Sequence, residues 1–433
     1  MPLVGRVQTI LKKKALHHTS IVAAGSLING ASLFALNVVL TRSLSQDLFG
    51  IFSLSVIALS TVAEMSDFGL NLGLLRFAPY YIATQQTDKL KQLIKTIWNW
   101  RVNLAGILTI LGITLAYPVA KYIFGQTEVT PYIAYSFLGI GGVILIGFVA
   151  TYLQSSQQFF RQASVQALKG ILRLLTVVVL AFFSVKNLYA YLSAYIFVPW
   201  LLFAVNYGVL PERFRQVTID KEIKDKLHAQ LARFSLWLTV SSLLTIGVGK
   251  LEQVMISHYL GLAEVATYTV AWQLVQAMPV VYGSINSVLM PKVSGLASKT
   301  ELVAFVRRIS KWILFGTIGI AVLIFPSQYL ITLLFGQKYS PAIPVYLVLA
   351  YSLLFNVISI PFSLAITAFN RTHIMALAGI FQLILFTGSN YLLIPRFGIQ
   401  GAAIAFAISN CTQFFWNVGW ATYLVKNKDF IIH

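Results

Sequence analysis

The sequence predicts an all-α, polytopic membrane protein with about twelve transmembrane helices in two pseudo-symmetric six-helix lobes around a central cavity. Three observations predict it. Of 433 residues, 58% are hydrophobic and 10% are charged, where a soluble protein has roughly 45–50% apolar and about 25% charged residues. The apolar residues fall in long runs separated by short polar breaks, and a run of about 20 residues matches the hydrocarbon core of a bilayer. The basic residues lie mostly on one side of the membrane that those runs define. This composition excludes a cytosolic enzyme, a disordered chain and a disulfide scaffold. The runs are too long and do not alternate, which excludes a closed β-barrel.

Taken in order, spans are expected near 20–43, 48–71, 96–118, 130–153, 163–184, 187–209, 234–259, 263–289, 309–335, 342–368, 373–395 and 399–424. Residues 1–19 form a basic N-terminal tail with Arg6 and Lys12 to Lys14 beside Val4, Val7, Ile10 and Leu11. This tail suits either an interfacial amphipathic helix or a disordered segment. It lacks the features of a cleavable signal. Residues 210–233, from Pro211-Glu212-Arg213 through Lys226, carry both charge signs and mark a linker between an N-lobe (20–209) and a C-lobe (234–424). Residues 425–433 form a short tail.

Lys and Arg set the orientation. With the N-terminus inside, only Arg42, Lys121, Lys186, Lys250, Lys338 and Arg396 of the 32 Lys and Arg fall outside. Both termini are therefore expected in the cytoplasm. The net charge of +19 records topology rather than a nucleic-acid partner.

An internal repeat supports two lobes. Val38 to Leu44 aligns with Val254 to Leu260, and Arg76 with Lys292. Phe124-Gly125-Gln126 aligns with Phe335-Gly336-Gln337, and Arg161 with Arg371. The order is kept and the offset is nearly constant, as in parallel repeats related by an axis along the membrane normal.

Charged and polar residues inside spans are costly, so they are the functional candidates. In the fifth span Gln162, Gln166, Lys169, Arg173 and Thr176 share one helix face. Arg173 lies about 13 Å from the inner end at 1.5 Å per residue. This stripe suits a cationic wall for an anionic head group, or basic side chains snorkelling to the interface. Lys250 and Glu252 sit in the seventh span, and Glu64 and Asp67 in the second. The acids can neutralise bases such as Arg76 or Arg173, or carry a coupling proton or cation. Arg42 and His258 are repeat-equivalent span ends that reach outer interfacial water. Asn410, Gln413 and Asn417 form a stripe in the twelfth span, and Tyr268, Trp272 and Gln276 in the eighth. Amides and aromatics suit glycan contacts, and equally suit hydrogen bonds between helices. Pro199, Pro279, Pro326, Pro344 and Pro361 fall inside spans, where they kink helices.

No catalytic constellation or phosphate-cradling loop is present in the sequence. The single cysteine, Cys411, forms no intrachain disulfide, and the six histidines have no metal-ligand spacing. No cofactor, metal or enzyme activity is implied.

Asp67-Phe68-Gly69-Leu70 followed by Arg76-Phe77 resembles the end of the second helix of polysaccharide (O-antigen type) flippases. These belong to the multidrug/oligosaccharidyl-lipid/polysaccharide exporter (MOP) superfamily. Gly261 through Tyr268-Thr269-Val270-Ala271, Phe335 to Tyr339, and Ile394-Pro395-Arg396-Phe397-Gly398 to Ala403 resemble later phrases of that family. The resemblance implies a twelve-helix, two-lobed fold that flips a polyprenyl-pyrophosphate-linked oligosaccharide from the inner to the outer leaflet of a bacterial cytoplasmic membrane. A cationic cavity of Arg173, Lys169, Lys250, Arg42 and Arg76 is then expected to hold the pyrophosphate. The implied partners are that lipid-linked oligosaccharide, membrane lipids, and a glycan polymerase or other export component. A cation-coupled drug antiporter of the same fold stays open, as does a membrane enzyme acting on glycans, against which the short outer loops argue.

Overall fold

The computed structural model describes residues 2–210, 239, 242–243, 246–247, 249–294, 298–369 and 371–427. The expected linker, the start of the seventh span and residues 428–433 lie outside the described residues. Contacts divide the chain into two compact units, Met1–Lys250 and Leu251–His433. The described residues are helical, with no strand among them.

The first unit runs α1 (Pro2–Ser43), α2 (Gln46–Met65), α3 (Leu70–Ala83), α4 (Thr87–Pro118), α5 (Thr130–Phe137), α6 (Ile140–Ser155), α7 (Phe159–Phe182) and α8 (Leu188–Asn206). The expected tail 1–19 is continuous with the first span in α1. Ser45 caps α2 by accepting from the Leu48 amide, and Asn187 caps α8 through the Tyr189 amide. These side chains satisfy amides that have no partner within the helix.

The second span departs from expectation. Its helix stops at Met65, because Phe68 and Gly69 both take positive φ (44° and 68°). The chain then continues in α3 as far as Ala83, where a polar loop is expected from sequence. Leu70, Leu74, Ala78 and Tyr81 form a buried stripe against Leu93 and Ile97 of α4. That burial holds the segment against α4. Span four is also bent, by 43°, between α5 and α6.

α1 crosses α7 closely. A Cβ on Gly25 would lie 2.6 Å from the Ala163 carbonyl oxygen, and one on Gly170 would lie 2.8 Å from the Asn29 Cα. Small residues at a crossing let helix backbones approach in a membrane, where dispersion contacts replace the hydrophobic drive.

The second unit comprises α9 (249–260, whose first two residues belong to the first unit), α10 (Leu262–Val275), α11 (Ala277–Ser294), α12 (Lys299–Ser327), α13 (Ala342–Ala368) and α14 (Thr372–Asn427). The expected eighth span is two helices, α10 and α11, broken near Gln276. Pro279 contributes, because it cannot donate to the carbonyl of Val275. α14 contains both of the last two expected spans. Gly398 between them is non-helical (φ 61°, ψ −143°). A Cβ on Gly401 would lie 2.2 Å from the Leu393 carbonyl oxygen, so the chain reverses tightly there.

The sequence repeat has a local structural counterpart. A π-helical turn at Val119–Ile123 leads to Gly125 (φ 70°) and then a 3-10 turn at Thr127–Val129. A π-helical turn at Ile331–Phe335 leads to Gly336 (φ 98°) and a 3-10 turn at Gln337–Tyr339. Only glycine adopts such φ at little cost, which explains why it stands at both landmarks.

Among the described residues, eight helices are long and apolar enough to cross a membrane, or nine if the bent α5–α6 pair is one span. Large apolar side chains cover their outer faces: Phe182 is 81% and Phe315 is 74% exposed. Such surfaces need lipid as their solvent. The protein is a multi-pass membrane protein.

Candidate functional site

The candidate site lies in the first unit, where α2, α6, α7 and α8 enclose a cavity of about 260 Å³. Ser60, Glu64, Gln166, Lys169, Arg173 and Tyr195 supply its polar and aromatic lining. The 3.6-residue period of α7 places Gln166, Lys169 and Arg173 of the expected stripe along one wall, while Gln162 and Thr176 lie outside the lining.

Arg173 is buried. Its guanidinium carbon lies 4.2 Å from the centroid of the Tyr195 ring. A cation held over an aromatic face gains about 0.5–2 kcal/mol, more as water is excluded. Tyr195 is held edge-on by Phe52 of α2, with centroids 5.5 Å apart. Pro199 lies one turn further along α8 and cannot donate to the Tyr195 carbonyl. The ring supports Arg173 but does not neutralise it. The Arg173 Nε and the Gln162 Oε1 are buried without a hydrogen-bond partner. Among the described residues neither Lys169 nor Arg173 forms an ion pair, although Glu64 lines the same cavity. Two cations against one carboxyl leave this cavity positive. Thr176, the last residue of the stripe, instead bonds the Leu172 carbonyl at 2.8 Å.

A second cavity of about 500 Å³ adjoins the first along Glu64, Val143 and Gly147, which line both. Asp67, Asn71 and Arg101 form its far side. Arg101 is 2% exposed. It is paired with Asp67, donates to the Asn71 Oδ1 at 2.8 Å, and reaches the Ser66 carbonyl at 3.4 Å. Sequence reasoning missed this residue, which falls among the bases assigned to the inner side. The sequence leaves Asp67 either to neutralise a base such as Arg76 or Arg173 or to carry a coupling proton or cation, and the structure pairs it with Arg101. The available signal was that Arg101 falls inside the third apolar run, but its partner is 34 residues away in the turn between α2 and α3. The cluster ties α4 to the positive-φ break between α2 and α3.

Arg42 and Arg76 are exposed, and Lys250 is half-buried. All three lie outside the lining of these two cavities. The Arg76 guanidinium lies 5.6 Å from the Phe77 ring.

In the second unit, Glu252 on α9 and Tyr268 on α10 are both buried. The Tyr268 hydroxyl donates to Glu252 Oε2, and Glu252 Oε1 has no hydrogen-bond partner. Trp272 stacks parallel to Tyr268 with centroids 6.5 Å apart, and meets Phe406 edge-on. Tyr268 and Trp272 therefore build a packed wall around a buried acid, while Gln276 is exposed.

The amide stripe of α14 takes the interhelical role that the sequence left open. Asn417 donates to the Ser359 Oγ at 2.6 Å, and Asn410 to the Ser352 Oγ at 3.3 Å. Asn356 donates back to Asn410, and Gln413 to Asn417. The two serines are one heptad apart on α13, as the two asparagines are on α14, so the contacts repeat along one seam.

Comparison with known proteins agrees with this architecture. The profile of the family described as polysaccharide biosynthesis protein matches residues 16–296. A Shigella flexneri protein provisionally named an O-antigen transporter is 26% identical over 189 residues, 42% of this chain and 44% of its own. An inward-facing multidrug resistance MATE family transporter of the MOP superfamily superposes with TM-score 0.73 at 16% identity, covering 95% of this chain and 98% of its own. The lipid II flippase MurJ, in an inward closed conformation, gives 0.68 at 14% identity, covering 94% and 87%. With a profile match over most of its length, the chain belongs to the polysaccharide biosynthesis protein family, and it has the fold of the MATE and MurJ structures.

Proposed function

We propose that this protein flips a polyprenyl-pyrophosphate-linked oligosaccharide from the cytoplasmic to the outer leaflet by alternating access. It would act in the bacterial cytoplasmic membrane with both termini inside, and hand its cargo to glycan polymerisation or export. The observation that carries the reading is the buried Arg173, which is backed by Tyr195, accompanied by Lys169, and short of one hydrogen-bond acceptor. A buried cation without a paired carboxylate is costly until an anion arrives. A pyrophosphate supplies the charge and the acceptors, while its polyprenyl tail remains in the bilayer.

The test is export of surface glycan in a strain lacking the gene and complemented with Arg173→Ala or Lys169→Ala. A lost charged hydrogen bond is worth about 1.5–3 kcal/mol, so the Arg173 variant is expected to transport roughly 10- to 100-fold more slowly. Wild-type export by both variants at equal expression would overturn the site.

One observation favours a second reading, a cation-coupled antiporter of small molecules. Glu252 is buried with one oxygen unbonded, as a coupling carboxyl would be. Resistance to several cationic drugs on expression, with no glycan defect on deletion, would select it.

A further inference from the structure

The second unit carries a divided surface cavity where α12, α13 and α14 come together. Its polar part, about 430 Å³, is lined by Lys299, Thr300, Val303, Ala304 and Arg307 of α12. Its apolar part, about 260 Å³, includes Val306, Phe362, Ala365, Ala421 and Val425, with Arg307 and Lys426 at its rim. Val303 and Arg307 line both parts. The apolar floor belongs to a packed cluster in which Val306, Phe362 and Trp420 meet Ala365, Ala421 and Leu424. Arg307 and Lys426 are exposed, so their charges face outward.

The division has the form of a phospholipid. From Lys299 to Arg307 the polar part extends about 12 Å along the helix at 1.5 Å per residue, which is room for a phosphodiester head group. The apolar part continues from it between helix ends, as an acyl chain continues from a head group. A groove on the outside of a membrane-spanning bundle meets lipid first, and basic pockets between span ends favour anionic lipids. The geometry points to a binding site for an anionic glycerophospholipid, its phosphate held by Arg307 and Lys426 and one acyl chain lying along Phe362 and Ala421. The site is in the second unit, apart from the cavity assigned to cargo, and it does not depend on what the protein transports.

Native mass spectrometry of the purified full chain tests it, with phosphatidylglycerol and phosphatidylcholine of matched acyl chains as probes. Phosphatidylglycerol is expected to be retained at least tenfold more strongly. Each basic residue near a phosphate is worth about fivefold in affinity. The double variant Arg307→Gln and Lys426→Gln should therefore bind phosphatidylglycerol roughly 25- to 30-fold more weakly, and lose less for phosphatidylcholine, whose choline already offsets its phosphate charge. Val303→Trp, which fills the junction without altering charge, should weaken both lipids. Equal retention of the two lipids by the wild type would overturn the proposal, as would an undiminished preference in the double variant. Residues 428–433, with Phe430-Ile431-Ile432, are the rival occupant. A chain ending at Asn427 that binds either lipid where the full chain binds neither would assign the groove to that segment and overturn the lipid.

Discussion

Removing the Asp67 carboxylate should destabilise the first unit by an amount the structure allows to be worked out. Arg101 has a side chain 3% exposed, and Asp67 one 27% exposed. Breaking a buried ion pair by deleting one partner costs about 3–5 kcal/mol, because the other charge stays buried and uncompensated. Here Asn71 and the Ser66 carbonyl still accept from Arg101, and Asp67 is partly wetted. Both facts place Asp67→Ala at the lower end, about 3 kcal/mol. Removing both charges, as Asp67→Ala with Arg101→Met, should return the cost to about 1 kcal/mol or less, since an apolar replacement leaves no stranded ion. The assay is reversible unfolding of the purified chain in mixed detergent and dodecyl sulfate micelles, with the two single variants and the double variant forming a cycle. The expected coupling is at least about 2 kcal/mol. If Asp67→Ala unfolds with wild-type stability, or if the double variant is as unstable as the single one, the pair does not anchor the break at Phe68–Gly69, and the reasoning fails.

Gly147 stands where the two cavities of the first unit meet, and a Cβ there would have no atom within 4 Å. Gly147→Trp should therefore lower export more than tenfold with little change in unfolding midpoint, and unimpaired export would show that the junction is not on the cargo path. Asn417→Ala should cost about 0.6 kcal/mol, the mean for hydrogen bonds between membrane helices, by stranding the Ser359 hydroxyl. Measured in the same micelles, that loss with export intact fits a helix clamp, whereas lost export at full stability would return Asn417 to the glycan path.

How much of this was legible in the sequence depended on the range of the interaction. The long apolar helices followed from hydropathy, which sums over twenty neighbouring residues and tolerates error at any one. The Gln162 to Thr176 stripe was legible because its residues share one helix, where 3.6 residues per turn fixes which side chains coincide. The break after Met65 was not: it rests on positive φ at Phe68, a residue type with no preference for it. Nor was the Arg101–Asp67 pair, which joins α4 to that unforeseen turn. The Tyr268–Glu252 bond failed to show because it joins two helices whose rotation about their axes the sequence does not set. Tyr268 was grouped with Trp272 and Gln276 on its own helix, while its hydroxyl was committed to a neighbour. The amide stripe on α14 was legible as a face, but the serines of α13 that Asn410 and Asn417 bond were not.

These cases bear on how a chain with a net charge of +19 can hold bases inside a bilayer. Arg101 and Arg173 are comparably buried, at 2% and 8% exposure, yet they are treated differently. Arg101 has an acid, an amide and a carbonyl, so its charge is compensated by the protein itself and adding an anion there gains little. Arg173 has an aromatic face and a like charge four residues away, on the wall of a cavity. An aromatic face offsets only part of the cost of burying a guanidinium, and the remainder can be recovered only by something that enters the cavity. Compensation therefore separates the two: the paired base anchors the break between α2 and α3, and the unpaired base is the one we propose to meet the cargo. The same criterion sets Arg173 ahead of Arg42 and Arg76, which are exposed and sacrifice little hydration. It also makes the proposal for Arg173 specific in sign, since a cationic drug entering this cavity would add to the repulsion already present between Lys169 and Arg173.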